Sequence, residues 1–162
     1  MVVQGQSQSG PTKDEVDHIQ KEVRHELVML PYLGVFDNLG FKVDGYEVTL
    51  VGKVTRPQLK SDAGNAVKRI EAVENVNNEI EVLPLSSFDD DLRIRLFYAI
   101  YGYAPLQKYA LGVNKPIRII VNKGHVDLEG VVDNEADKNL VGIRANGVSD
   151  VFSVRNNLQV VN

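Results

Sequence analysis

The chain has no cysteine among its 162 residues, which excludes disulfides and thiolate chemistry. That suits cytoplasm and periplasm equally. No apolar run approaches the ~20 residues of a membrane-spanning helix. The opening stretch MVVQGQSQSG has neither a basic n-region nor an apolar h-region, and its Gln, Ser and Gly read as a disordered tail over residues 1–12. G-x-S-x-G, P-loop and dinucleotide-binding patterns are all missing, so no enzyme and no cofactor are expected. His18, Glu22 and His25 fall on one helical face, yet the span from i to i+7 is about 10 Å, too long for a single ion. No metal site is expected there. Acidic residues are absent from Leu92 to Val126, a stretch holding Arg93, Arg95, Lys108, Lys115, Arg118 and Lys123. Such an asymmetry usually concerns partners. The net charge of −4 argues against nucleic acid as that partner.

What the chain does contain is an internal repeat. VTLVGKVT starts at Val48 and VDLEGVVD at Val126; VNNEIEV starts at Val76 and VRNNLQV at Val154. Both echoes have the same offset of 78 positions, the mark of a duplicated unit. The expected organisation is one module over residues 13–84, a linker over 85–91, and a second module over 92–162. Modules of about 70 residues bury only ~60% of their unfolded surface and are marginal alone.

Each copy reads as helix, strand, strand, helix, strand. Val16, Ile19, Val23, Leu27 and Leu30 share a helical stripe; Phe41 and Val43, then Val48, Leu50 and Val54, alternate as strands around the Asp44-Gly45 turn. Thr55 and Gln58 form a capping-box pair ahead of a second helix, with Pro57 in its first turn. Copy two repeats the order, with a hairpin turn at Asn122-Lys123-Gly124 and Asn134 as helix cap. The strand–helix–strand portion requires a right-handed crossover and parallel strands. The predicted fold is α+β: two αββαβ modules, each a three-stranded mixed sheet covered on one face by two helices.

Gly52 and Gly130 share the inward face of the middle strands, where a helix is expected to cross too closely for a side chain. Asn78 and Asn156 also face inward and must be hydrogen-bonded, each tying down a loop or helix end. The Asp run of LPLSSFDDD sits where carboxylates favour a helix dipole.

These patterns resemble the BON domain, the family named for bacterial osmotic-shock and nodulation proteins. VTLVGKVT with VENVNNEIEV, and VDLEGVVD with GVSDVFSVRNNLQV, carry the likeness through two tandem copies. The resemblance implies a fold without catalysis, a periplasmic or envelope location, contact with phospholipid surfaces and support of the envelope under stress. It makes Gly52, Gly130, Asn78 and Asn156 structural marks rather than site residues.

One surface stands apart. The first helix of copy two has a core stripe of Leu92, Leu96, Ala99, Ile100 and Tyr103, and a second apolar stripe of Ile94, Phe97, Tyr98 and Tyr101. The corresponding face of copy one holds Gln20, Lys21, Arg24 and His25. The expected contact surface is Arg93, Ile94, Phe97, Tyr98, Tyr101, Lys108 and Tyr109. Its partner is an anionic phospholipid surface, by interfacial Tyr and basic attraction. The alternatives are an envelope protein or a second copy, because Tyr and Arg also make interface hot spots, or a seam against the first module.

Overall fold

The computed structural model describes residues 10–161. Residues 1–9 of the expected tail lie outside that range. Contacts divide the chain into two units. Of the described residues, the first gathers 10–33, Leu39–Gly52 and Arg56–Glu81; the second gathers Gly34–Asn38, Lys53–Thr55 and 82–161.

The first repeat opens with α1 (Lys13–Val28), started by a reciprocal capping box between Thr12 and Glu15. It buries Ile19, Val23 and Leu27 at helical spacing. Strands β1 (Asn38–Asp44) and β2 (Glu47–Val54) follow, then α2 (Pro57–Lys68) and a third strand in two pieces, β3 (Asn75–Asn78) and β4 (Glu81–Val82). Both pieces pair with β2, giving the order β1-β2-β3/β4. The second repeat has α3 (Ser87–Tyr101), a 3-10 segment (Ala104–Ala110), β5 (Ile117–Asn122), β6 (His125–Val132), α4 (Glu135–Asn146), β7 (Ser153–Asn156) and β8 (Gln159–Val160). The two crossover helices are equally long, at 12 residues.

The duplication extends to the hydrogen-bond ladder. Leu50 pairs with Asn78 and Leu128 with Asn156, both in parallel register. The amide of Glu79 donates to Leu50 O at 2.8 Å, and that of Asn157 to Leu128 O at 2.9 Å. Val48, Leu50 and Val54 are buried along β2, as are Val126, Leu128 and Val132 along β6. Alternate positions point one way in a strand, and this is the face the helices cover.

The inward asparagines explain the break in the third strand. Asn156 Nδ2 donates to Lys138 O at 2.8 Å, and its Oδ1 accepts from the Leu158 amide at 3.3 Å. Asn78 makes the same pair of bonds with Lys60 O and the Ile80 amide. Each amide therefore ties the crossover helix to the strand that follows it. A helical glycine makes the room: a Cβ at Gly142 would stand 2.9 Å from Asn156 Nδ2, and one at Gly64 2.8 Å from Asn78 Nδ2. Asn156→Ala should lose about 2 kcal/mol, since the Leu158 amide loses this acceptor and the side-chain tie to the helix carbonyl is cut. Asn156→Asp should lose nearly as much, because its carboxylate cannot donate to Lys138 O. Urea denaturation of both variants checks this.

The close approach predicted at the middle-strand glycine is made by backbone of a different element. Gly52 and Gly130 have φ of +124° and +116°. A Cβ at Gly130 would lie 1.9 Å from the Pro116 carbonyl oxygen, at the entry to β5. The neighbouring strand, rather than a crossing helix, excludes the side chain there. The Thr55–Gln58 capping box does not form either. Arg56 occupies the N-cap of α2 without a side-chain cap bond, and Thr55 Oγ1 instead donates to Asp37 at 2.9 Å.

Candidate functional site

Helix α3 begins at the Ser86 N-cap, whose oxygen accepts from the Asp89 amide at 3.1 Å. Leu92, Leu96 and Ile100 enter the core of the second unit. Beside this stripe, Ile94 is 54% exposed and Tyr98 67% exposed. Phe97 is partly buried between them and the core. Its ring meets Tyr98 edge-on at 5.6 Å and Phe36 edge-on at 6.4 Å. Val35, Phe36, Ile94, Phe97 and Tyr98 together line a shallow groove of about 270 Å³. Edge-to-face rings of this kind pack favourably while keeping a greasy surface open to solvent.

Four expected members of this surface have other tasks. Tyr101 is buried, and its hydroxyl donates to Ile117 O at 2.6 Å while accepting from Ile117 N at 2.9 Å. As the last residue of α3 it turns from the exposed stripe towards the start of β5. Burial pushes its hydroxyl above the usual tyrosine range, so it stays protonated as a donor. Tyr109 is also buried, in the 3-10 segment. Its hydroxyl donates to Asp137 and accepts from the Asp133 amide. Burial, then the Asp137 bond, raises its titration.

Arg93 is buried as well, seven residues before core Ile100 on the same side of the helix. It pairs with Asp90 at 2.6 Å and donates to Val121 O at 2.8 Å. Lys108 is exposed but paired with Asp137 at 2.8 Å and Asp133 at 3.2 Å. Those bonds, Asp137 first, raise its titration, and Lys108 in turn holds the Asp137 carboxyl below the usual range.

Half of the cations in the acid-free stretch of sequence, Arg93, Arg95 and Lys108, are thus matched by carboxylates in space. Arg95 pairs with Asp91 at 2.9 Å and Asp150 at 3.4 Å. Arg118 is half-buried and donates to Gly34 O at 2.6 Å. Charges local in sequence are matched by acids up to 55 positions away, which a linear count of residues does not show.

Asp89 was legible only as one of a run. It is fully buried, and its two oxygens accept from the amides of Lys123 and Gly124 at 2.8 and 3.0 Å. Those two residues form the β5–β6 turn with φ of +53° and +83°. Aspartate thereby clamps α3 to the hairpin of its own unit.

Among the described residues, no three His, Cys, Asp or Glu side chains group as a metal site, and no helix is long and apolar enough to cross a membrane. A separate groove in the first unit is lined by charged groups including His18, Glu22, Arg69 and Glu71.

The fold and this surface define a class: a tandem pair of small αββαβ binding modules, the second with an exposed apolar face. The chain belongs to the BON domain family, whose pattern matches residues 15–84 and 108–162. BON domains are generally binding domains tied to phospholipid or envelope functions, without catalysis. The second match begins after α3, so the aromatic helix lies outside it. No curated protein matches. Among solved structures, the chain is similar to CdsD, a structural protein of the type III secretion system of Chlamydia trachomatis. That likeness has 12% identity over 89% of this chain and 92% of the other, with a TM-score of 0.32. The C-terminal domain of CdsD matches at 13% identity over 88% and 96%, with a TM-score of 0.30.

Proposed function

We propose that this is a non-catalytic periplasmic protein that contacts phospholipid surfaces of the envelope and supports envelope integrity under stress. The contact surface is the face of α3 carrying Ile94 and Tyr98, with Phe97 and Phe36 behind them. The observation that carries the reading is the exposure of these two side chains beside a half-buried aromatic pair. Ile94 supplies apolar area for the acyl boundary, and Tyr98 places a ring with a polar tip at headgroup depth.

The charges alter how such binding works. Arg93 and Lys108 already have carboxylate partners, so an anionic headgroup gains little from either. Attraction comes chiefly from apolar area, and salt has a small effect. Co-sedimentation with phosphatidylcholine–phosphatidylglycerol vesicles is the test. The double variant Ile94→Ala with Tyr98→Ala should lower the partition coefficient at least ~10-fold, given about 1.5 kcal/mol or more per buried large apolar side chain. The far-ultraviolet spectrum should not change, since both side chains are exposed. Wild-type protein that stays in the supernatant at low salt would end the lipid reading. The same groove would then be assigned to an envelope protein or a second copy, because a concave aromatic surface also suits a protruding side chain.

A further inference from the structure

We infer that Asp37 is a positioning residue for the aromatic face, holding the Val35–Phe36 wall of the groove in place; the inference rests on the binding role proposed above. Residues 34–38 and 53–55 lie in the first repeat by sequence but belong to the second unit by contact. Asp37 is only 3% exposed. Burying a carboxylate is unfavourable unless its oxygens are well bonded. Here Oδ1 accepts from Thr55 N at 2.7 Å and Thr55 Oγ1 at 2.9 Å, and Oδ2 accepts from Gly34 N at 2.9 Å. No ion pair joins Asp37 to a cation among the described residues; Arg118 instead donates to Gly34 O. What the carboxylate holds is the backbone amides of Gly34 and Thr55 together with the Thr55 hydroxyl.

Three anchors define the loop. The Asp37–Thr55 bonds fix one end and the Arg118–Gly34 bond fixes the other. Between them, Val35 O accepts from the Ile119 amide at 2.9 Å, extending the ladder of β5 by one bond. Phe36 has no polar group with which to set its own position. Its ring sits against Phe97 because the backbone on either side is tied. Without the anchors the loop is free to leave, and the groove reduces to the bare α3 surface of Ile94 and Tyr98.

Thr55 supplies a second argument. It stands one residue before the N-cap of α2, and α2 starts with no side-chain cap. A cap is typically worth ~1 kcal/mol. The hydroxyl that sequence pattern assigns to capping is used on Asp37 instead. Departures from local rules of this kind concentrate where a site needs a particular geometry.

The full-length chain tests this with Asp37→Ala, Thr55→Val and Thr55→Ser. In Asp37→Ala, the Phe36–Phe97 ring contact, read as an NMR cross-peak, should vanish. Amide exchange of Thr55 and Ile119 should quicken at least ~10-fold while that of Leu128 is unchanged. Partition to the same phosphatidylcholine–phosphatidylglycerol vesicles should fall at least fivefold although Ile94 and Tyr98 are intact. Thr55→Val should follow in the same direction, and Thr55→Ser, which keeps the hydroxyl, should restore wild-type behaviour. A retained ring contact overturns the inference. So does a lost ring contact with unchanged partition. Should wild-type protein itself not bind vesicles, the lipid reading fails separately, and the ring contact and amide exchange still decide whether Asp37 places the wall.

Discussion

Gly130→Ala should be the most damaging single substitution we can name, lowering stability by about 4 kcal/mol. Two causes add. The residue sits at φ +116°, where an L side chain is strained by roughly 1–3 kcal/mol. The new methyl would also stand 1.9 Å from the Pro116 carbonyl oxygen, so one of the two strands must move. Movement is resisted because the next residue, Ile117, has both its amide and its carbonyl bonded to the buried Tyr101 hydroxyl. Relief of the clash therefore loosens the tyrosine bonds that hold β5 in place. For a chain of this size each kcal/mol is worth ~2–4 °C, so thermal unfolding followed by circular dichroism should show a loss near 10 °C. A midpoint within about 2 °C of wild type would refute the packing described for this strand.

Asp89→Ala should be nearly as severe, at about 3 kcal/mol. The variant removes both acceptors for the Lys123 and Gly124 amides, and an unpartnered buried polar group loses ~1–3 kcal/mol. Asp89→Asn should fall between, since one carboxamide oxygen still accepts while the NH₂ opposes the other amide. Asp91→Ala is the informative contrast. Asp91 is exposed and pairs with Arg95 at the surface, so its loss should be under ~1 kcal/mol. Urea midpoints of the three variants rank the effects. Equal values for Asp89→Ala and Asp91→Ala would mean that the run acts only through the helix dipole.

The repeat was legible because its determinants are local or periodic. Alternation through Val48, Leu50 and Val54, and again through Val126, Leu128 and Val132, reports a half-buried strand whatever surrounds it. The inward asparagines were legible for the same reason: a polar residue at an apolar position must find a partner, and Lys60 O and Lys138 O are those partners. Sequence alone also marked α3 as over-apolar, and Ile94 and Tyr98 remain on its open face.

Other assignments depended on which backbone comes near, and that is a property of the assembled fold. Gly64 and Gly142 share the 78-residue offset and make room for the asparagine amides, yet a glycine in a helix carries no periodic signal of that duty. Thr55 has the sequence of a cap and the structure of a latch: its hydroxyl donates to Asp37, and Arg56 takes the N-cap position. Tyr101, Tyr109 and Arg93 share residue types with a binding surface but are drawn inward by Ile117, Asp137 and Val121. The chain by itself determined a doubled αββαβ module and an aromatic helix, since periodicity and duplication are written along one dimension. Only tertiary structure decided which aromatics remain outside and which cations remain unpaired, because burial and charge pairing depend on distances in three.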